Sequence, residues 1–181
     1  LLRPVEAASD QPATPDQPPG RANAAERFVP YEGAKPFVFI CYAHAEADLV
    51  FADLAPVHGS GTTRMWYDDG IHPGHDWIDT LTARINDCSL VLFSASATST
   101  ASSHCRRELH FAMENDKPIL TVQLDDEPLP GSVRFVLGQR QSIVRSELAP
   151  DAYLRRLSTA IAEHVPAEAL APAQPAERES T

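Results

Sequence analysis

The chain has 181 residues, 43% of them hydrophobic, enough for one domain with a core and too apolar for a wholly disordered polypeptide. Its formal net charge of -10, from 15 Lys and Arg against 25 Asp and Glu, excludes a general nucleic-acid binder and an anionic membrane surface as partner. No apolar run approaches the roughly 20 residues of a membrane span, and the opening LLRPVEAASD lacks the basic region and long apolar stretch of a secretory signal.

Residues 1–34 are rich in Pro, Ala, Asp, Glu and Gln, with PPG at Pro18–Gly20, and read as a flexible linker. The folded domain is expected over residues 35–165. Phe37–Tyr42 (FVFICY) is a continuous apolar run, as in a parallel strand covered on both faces. Ala45–Val57 places Leu49, Val50 and Leu54 at helical spacing. Arg64–Tyr67 reads as a short second strand, followed by an acidic loop containing Gly and Pro. Trp77–Ile85 puts Trp77, Ile78, Leu81 and Ile85 on one helical face. Ser89–Phe93 is a third strand, ending in a Ser/Thr-rich loop. His104–Asn115 reads as a helix with Cys105, Leu109, Ala112 and Met113 inward and Glu108 in its first turn. Pro118–Val122 and Ser142–Val144 complete the strands, and Ala152–His164 closes the domain. Residues 166–181 resemble the leader in composition and are expected to be a disordered tail.

Strands alternating with helices over short crossovers predict an α/β domain, with a parallel sheet of about five strands between two layers of helices. In such sheets ligands bind at the carboxyl edge, where the loops after the first three strands converge. The usual chemistries of this architecture are missing. The sequence has no GxGxxG after a strand, no GxxxxGK[ST] and no GxSxG. A phosphoacceptor domain needs an Asp ending its third strand; Ser94 stands there.

The cysteines, Cys41, Cys88 and Cys105, are odd in number and form no CxxC pair, so neither a disulfide framework nor a structural zinc site is expected. Reduced thiols in a cytoplasmic setting are the simplest reading. His72 and His75 lie three apart with no evident third ligand, so no metal is expected. With no initiator Met, the chain reads as part of a longer protein.

Three segments carry a resemblance. FVFICYAHAEAD resembles the first box of Toll/interleukin-1 receptor (TIR) domains. WYDDGIHPGHDW resembles their second, and SSHCRREL the Ser-x-Cys-x-x-Glu-Leu segment opening their third helix. The resemblance spans about residues 36–164 and looks most like the bacterial branch, in which many members cleave NAD+. It implies a flavodoxin-like fold, Glu108 as the catalytic residue, and NAD+ as a substrate rather than a bound cofactor. Tyr42, Ala43, His44, Asp68, Gly74, Trp77, Ser103 and His104 are the candidate substrate-binding residues. One departure stands out: catalytic members often carry Trp four residues before the glutamate, where this chain has His104.

The bland readings stand beside these. Glu108 also fits an acidic residue favoured by a helix N-terminus, and Tyr42–His44 an ordinary strand-to-helix turn. Asp68 and Asp69 fit a solvated turn, and Trp77 fits core packing. Pro73 and Gly74 are either turn chemistry or a mobile loop that gates the site and touches a neighbouring subunit.

A single carboxylate suffices for the implied reaction. The nicotinamide of NAD+ leaves as a neutral molecule without protonation, so the second carboxyl group of an ordinary glycosidase is unnecessary. What is needed is an anion beside an oxocarbenium-like ribose. The products expected are nicotinamide and either ADP-ribose or a cyclic isomer. The resemblance further implies self-association through TIR domains, a sensor elsewhere in the same protein and a role in bacterial immunity. A non-catalytic adaptor signalling through TIR–TIR contacts is the alternative.

Overall fold

The computed structural model describes residues 27–59, 63–68, 75–137 and 142–165. Five strands form one sheet: β1 (Val38–Cys41), β2 (Met65–Tyr67), β3 (Leu90–Ala95), β4 (Ile119–Gln123) and β5 (Ser142–Val144). Their order is β2-β1-β3-β4-β5 and every pairing is parallel. That order is flavodoxin-like, as expected. The helices are α1 (Ala47–Gly59), α2 (His75–Asp87), α3 (Ala97–Ala101), α4 (Ser103–Glu114), α5 (Gly131–Leu137) and α6 (Pro150–His164).

Period-two alternation along the central strands splits the core in two. Val38 and Ile40 of β1, with Leu90 and Leu92 of β3, pack beneath Val50, Phe51 and Leu54 of α1 and Leu157 and Ile161 of α6. Phe39 and Cys41, with Val91, Phe93 and Ala95, pack beneath Leu81 and Ile85 of α2, Cys105, Leu109 and Ala112 of α4, and Leu137 of α5. Both faces are covered, which is why these strands read as unbroken apolar runs.

Several expectations need correction. Leu49 and Ile78 lie on exposed flanks, and Phe51 takes the inward position of α1 instead. The Ser/Thr-rich stretch after β3 contains α3, held by a capping box in which Ser96 and Ser99 each accept a hydrogen bond from the other's backbone N–H. Helix α5 had no counterpart in the sequence reading. The chain before Lys35 is also not all linker: residues 27–34 lie against the domain. The Tyr31 N–H donates to the Met65 carbonyl at 2.9 Å, and the Tyr67 hydroxyl donates to the Phe28 carbonyl at 2.5 Å. The Phe28 ring meets Phe51 and Tyr67 edge to face and stacks on His58 at 4.1 Å. The tail beyond Val165 lies outside the described residues.

Candidate active site

A cavity of about 580 Å³ opens at the carboxyl edge of the sheet, within the size range of small-molecule sites. The turn after β1 contributes Tyr42, Ala43 and His44. The end of β2 contributes Asp68, the start of α2 contributes Trp77, α3 contributes Thr98, and α4 with its capping residue Ser102 contributes His104 and Glu108. The topology brings these residues together because β1 lies between β2 and β3, so the ends of all three strands adjoin.

Local chemistry fixes each wall. The Tyr42 hydroxyl donates to the Asp68 carbonyl at 3.3 Å, bridging the ends of β1 and β2. The Tyr42 and His44 rings lie 5.3 Å apart. Ser102 caps α4, its hydroxyl accepting from the Cys105 N–H. Trp77 and His104 meet edge to face with centroids 5.9 Å apart, a favoured aromatic arrangement.

Glu108 is the decisive side chain. It is 8% exposed and sits in the second turn of α4, not the first, because the helix begins at Ser103. At that depth the helix N-terminus no longer explains a carboxylate, since its field fades within the first turn. Burial pushes the Glu108 carboxyl up to about 8, and the charges of Cys105 and Asp68 add to the rise. A hydrogen bond with the Cys41 thiol works the other way. None of the groups acting on it is a cation. A strongly perturbed acid in a cleft is a candidate for a functional site.

The expected residues Tyr42, Ala43, His44, Asp68, Trp77, His104 and Glu108 therefore share one cavity. Glu108 and His104 do so because residues four apart share a helix face. Ser103 does not join them: it is exposed and its side chain pairs with Arg107, while the capping Ser102 takes the wall position. Gly74 lies outside the described residues, as do Asp69, His72 and Pro73. Sequence reasoning passed over Ser102, Thr98 and Cys41. The Ser-Ser pair before the helix was the available signal for Ser102 as its cap. Among the described residues, no cluster of His, Cys, Asp or Glu suits a metal ion.

The order of strands defines a flavodoxin-like α/β domain, with a cavity at the carboxyl ends of its strands and one buried carboxyl group on the cavity wall. Residues 38–157 match the family model described as TIR domain, and the chain belongs to that family. Solved structures share the fold. The Clostridium botulinum CMP N-glycosidase BcmB aligns at 16% identity with a TM-score of 0.52, covering 68% of this chain and 98% of its own. The TIR domain of the Toll-related receptor TRR-2 from Hydra magnipapillata aligns at 16% identity and 0.54, covering 68% and 96%. The RPS4 and RRS1 TIR domain heterodimer aligns at 14% identity and 0.55, covering 72% and 98%. No curated protein matches the chain.

Proposed function

We propose that this TIR domain is an N-glycosidase that cleaves the bond between ribose and a base, with NAD+ as substrate and nicotinamide as leaving group. The observation that carries this reading is Glu108, a buried carboxyl group on the wall of a nucleotide-sized cavity. Burial holds the acid up to about 8. A cationic nicotinamide ribosyl group placed beside it favours the ionised form. The bond from ribose C1′ to the pyridinium nitrogen then breaks, its electron pair passing to that nitrogen. The Glu108 carboxylate faces the positive charge that develops on the ribose. Water attacks C1′ and loses a proton, giving ADP-ribose; attack by the adenine ring gives a cyclic product. In this reading Asp68 and His44 hold ribose hydroxyls, and Tyr42, Trp77 and His104 contact the rings.

A second substrate has its own support. BcmB is a CMP N-glycosidase, and an uncharged pyrimidine leaves more readily when protonated. A carboxyl group with a pKa of about 8 retains a proton at neutral pH and is suited to donate it. Incubating the protein with NAD+ and with CMP, and measuring free nicotinamide and free cytosine, separates the two substrates. Release of neither would leave the non-catalytic adaptor.

We further propose that the domain acts in the cytoplasm as an assembly-activated effector in immune signalling, linked through its leader to a sensor. Three free, buried thiols fit a reducing compartment. No helix among the described residues is long and apolar enough to cross a membrane. The heterodimer of RPS4 and RRS1 TIR domains provides a precedent for TIR–TIR contact.

A further inference from the structure

A second cleft, of about 320 Å³, lies between α2 and α4. Most of its lining surface is apolar, from Ile78, Leu81, Ile85 and Phe111, and the exposed Arg107, His110 and Glu114 also line it. It adjoins the first cavity, because Trp77, His104 and Glu108 line both. The edge-to-face pair of Trp77 and His104 is therefore a partition between two compartments, with the carboxyl group at their junction.

The partition is held loosely in one respect. The Trp77 indole N–H is buried and has no hydrogen-bond partner. Such a donor is costly to leave unmade, so a turn of the ring that presents it to an acceptor in the cleft is favoured. The Trp66 indole, by contrast, donates to Glu32 at 3.2 Å.

Both compartments are mostly apolar, and the cleft between α2 and α4 is the more apolar of the two, as the base is the less polar product of an N-glycosidase. The first cavity offers His44, Asp68 and Ser102 to a polar sugar phosphate. The second offers apolar walls to a flat ring. We propose that the cleft between α2 and α4 binds an uncharged heteroaromatic ring bearing a carbonyl oxygen, namely the base released next door, with the Trp77 N–H donating to that oxygen. This rests on the N-glycosidase reading. The cleft is then the departure route of the base and the seat of inhibition by it.

The chain's 2 tryptophans make the test direct. The indole N–H resonances are followed by ¹⁵N–¹H NMR while nicotinamide, and separately cytosine, is added; Trp77→Phe assigns the peaks. One of the two rings is expected to move the Trp77 signal downfield saturably, while the Trp66 signal stays fixed. Thr82→Trp, which fills the mouth of the cleft from the half-exposed side of α2, is expected to weaken that binding at least tenfold. Thr98→Trp, which narrows the first cavity, is expected to leave it. A Trp77 resonance unmoved by either ring overturns the proposal. So does a shift that survives Thr82→Trp and disappears in Thr98→Trp, because the ring then occupies the first cavity. Base release from NAD+ and CMP, measured on the same samples, reports separately on catalysis. A chain that binds the ring but turns over neither substrate would sink the catalytic reading and leave the cleft assigned.

Discussion

The Cys41 thiol donates to the main-chain carbonyl of Cys105 across 3.8 Å, tying the last residue of β1 to the first turn of α4. The thiol's one hydrogen can turn instead toward the Glu108 carboxyl group, and that interaction lowers its pKa against the effect of burial. Cys41 is thus a positioning residue for the proposed catalytic acid. Cys41→Ala is expected to move the pH–rate profile upward, and Cys41→Ser, which keeps a donor, to restore it. Profiles of kcat/KM against pH for the three proteins check this. An unmoved profile for the alanine variant would show that the thiol only packs.

Glu108→Gln is expected to abolish base release, because the amide keeps the shape and loses both anion and acid. Its stability carries a separate signature. The folded protein holds the Glu108 proton up to about pH 8, whereas the ordinary value is 4.5. Between these values the folded state binds a proton that the unfolded chain has released, so stability falls as pH rises, by up to about 1.4 kcal/mol per pH unit. That contribution is full below the ordinary value and is lost by the time pH has passed through the folded one. Glutamine has no such dependence. Relative to wild type, the variant should therefore gain a few kcal/mol between about pH 5 and about pH 9. Urea denaturation across that range measures the difference. Parallel curves would mean that Glu108 is not buried as a neutral acid.

The same acid sets the pH dependence of turnover. If NAD+ is the substrate, the ionised form is required, and kcat/KM should rise with pH through about 8. If an uncharged base is the leaving group, the protonated form is required and the limb should fall there instead. The direction of the limb therefore identifies the role of Glu108 independently of which product is detected.

His104→Trp is expected to retain activity and to lower KM. The indole offers a ligand ring more stacking area than imidazole, and position 104 lines the cavity beside Trp77. Steady-state kinetics on NAD+ provides the measurement. A large loss of kcat with unchanged KM would instead assign the imidazole a polar role at the reacting bond.

Turnover per molecule is expected to rise with protein concentration. The site is assembled from the ends of two strands and from three helices, so a neighbour that orders those segments raises the competent fraction. A dilution series with particle size followed alongside tests this. Full activity in a strictly monomeric sample would defeat it.

Much of this fold was legible in the sequence because buried parallel strands announce themselves. FVFICY and SLVLF are apolar on both faces, and only a sheet covered twice asks for that. Helix α4 was legible from Cys105, Leu109 and Ala112. What escaped was short or polar. Helix α3 is only five residues long and is stabilised by serine side chains rather than an apolar stripe. Helix α5 is seven residues long, with Phe135 exposed. In the site, Tyr42, His44, Asp68 and Glu108 could be named from strand ends and family motifs. The burial of Glu108 could not, because it depends on how tightly β1 and α4 approach, which no local pattern encodes. Ser103 and Ser102 were exchanged for the same reason: one residue at a helix start decides which hydroxyl faces inward.

The leader segment has a practical consequence for where the domain can be cut. β2 ends the sheet on one side, and the described leader residues dress that margin. Tyr31 occupies a main-chain carbonyl of β2, Glu32 receives the Trp66 indole N–H and pairs with Arg84, and Phe28 roofs Phe51. A fragment beginning at Lys35, the boundary suggested by composition, would bare an open strand margin beside uncovered aromatic rings. Such a margin is a template for intermolecular strand addition. Recombinant preparations of that fragment should precipitate or form ill-defined particles, and particles of that kind would be easily mistaken for signalling assemblies.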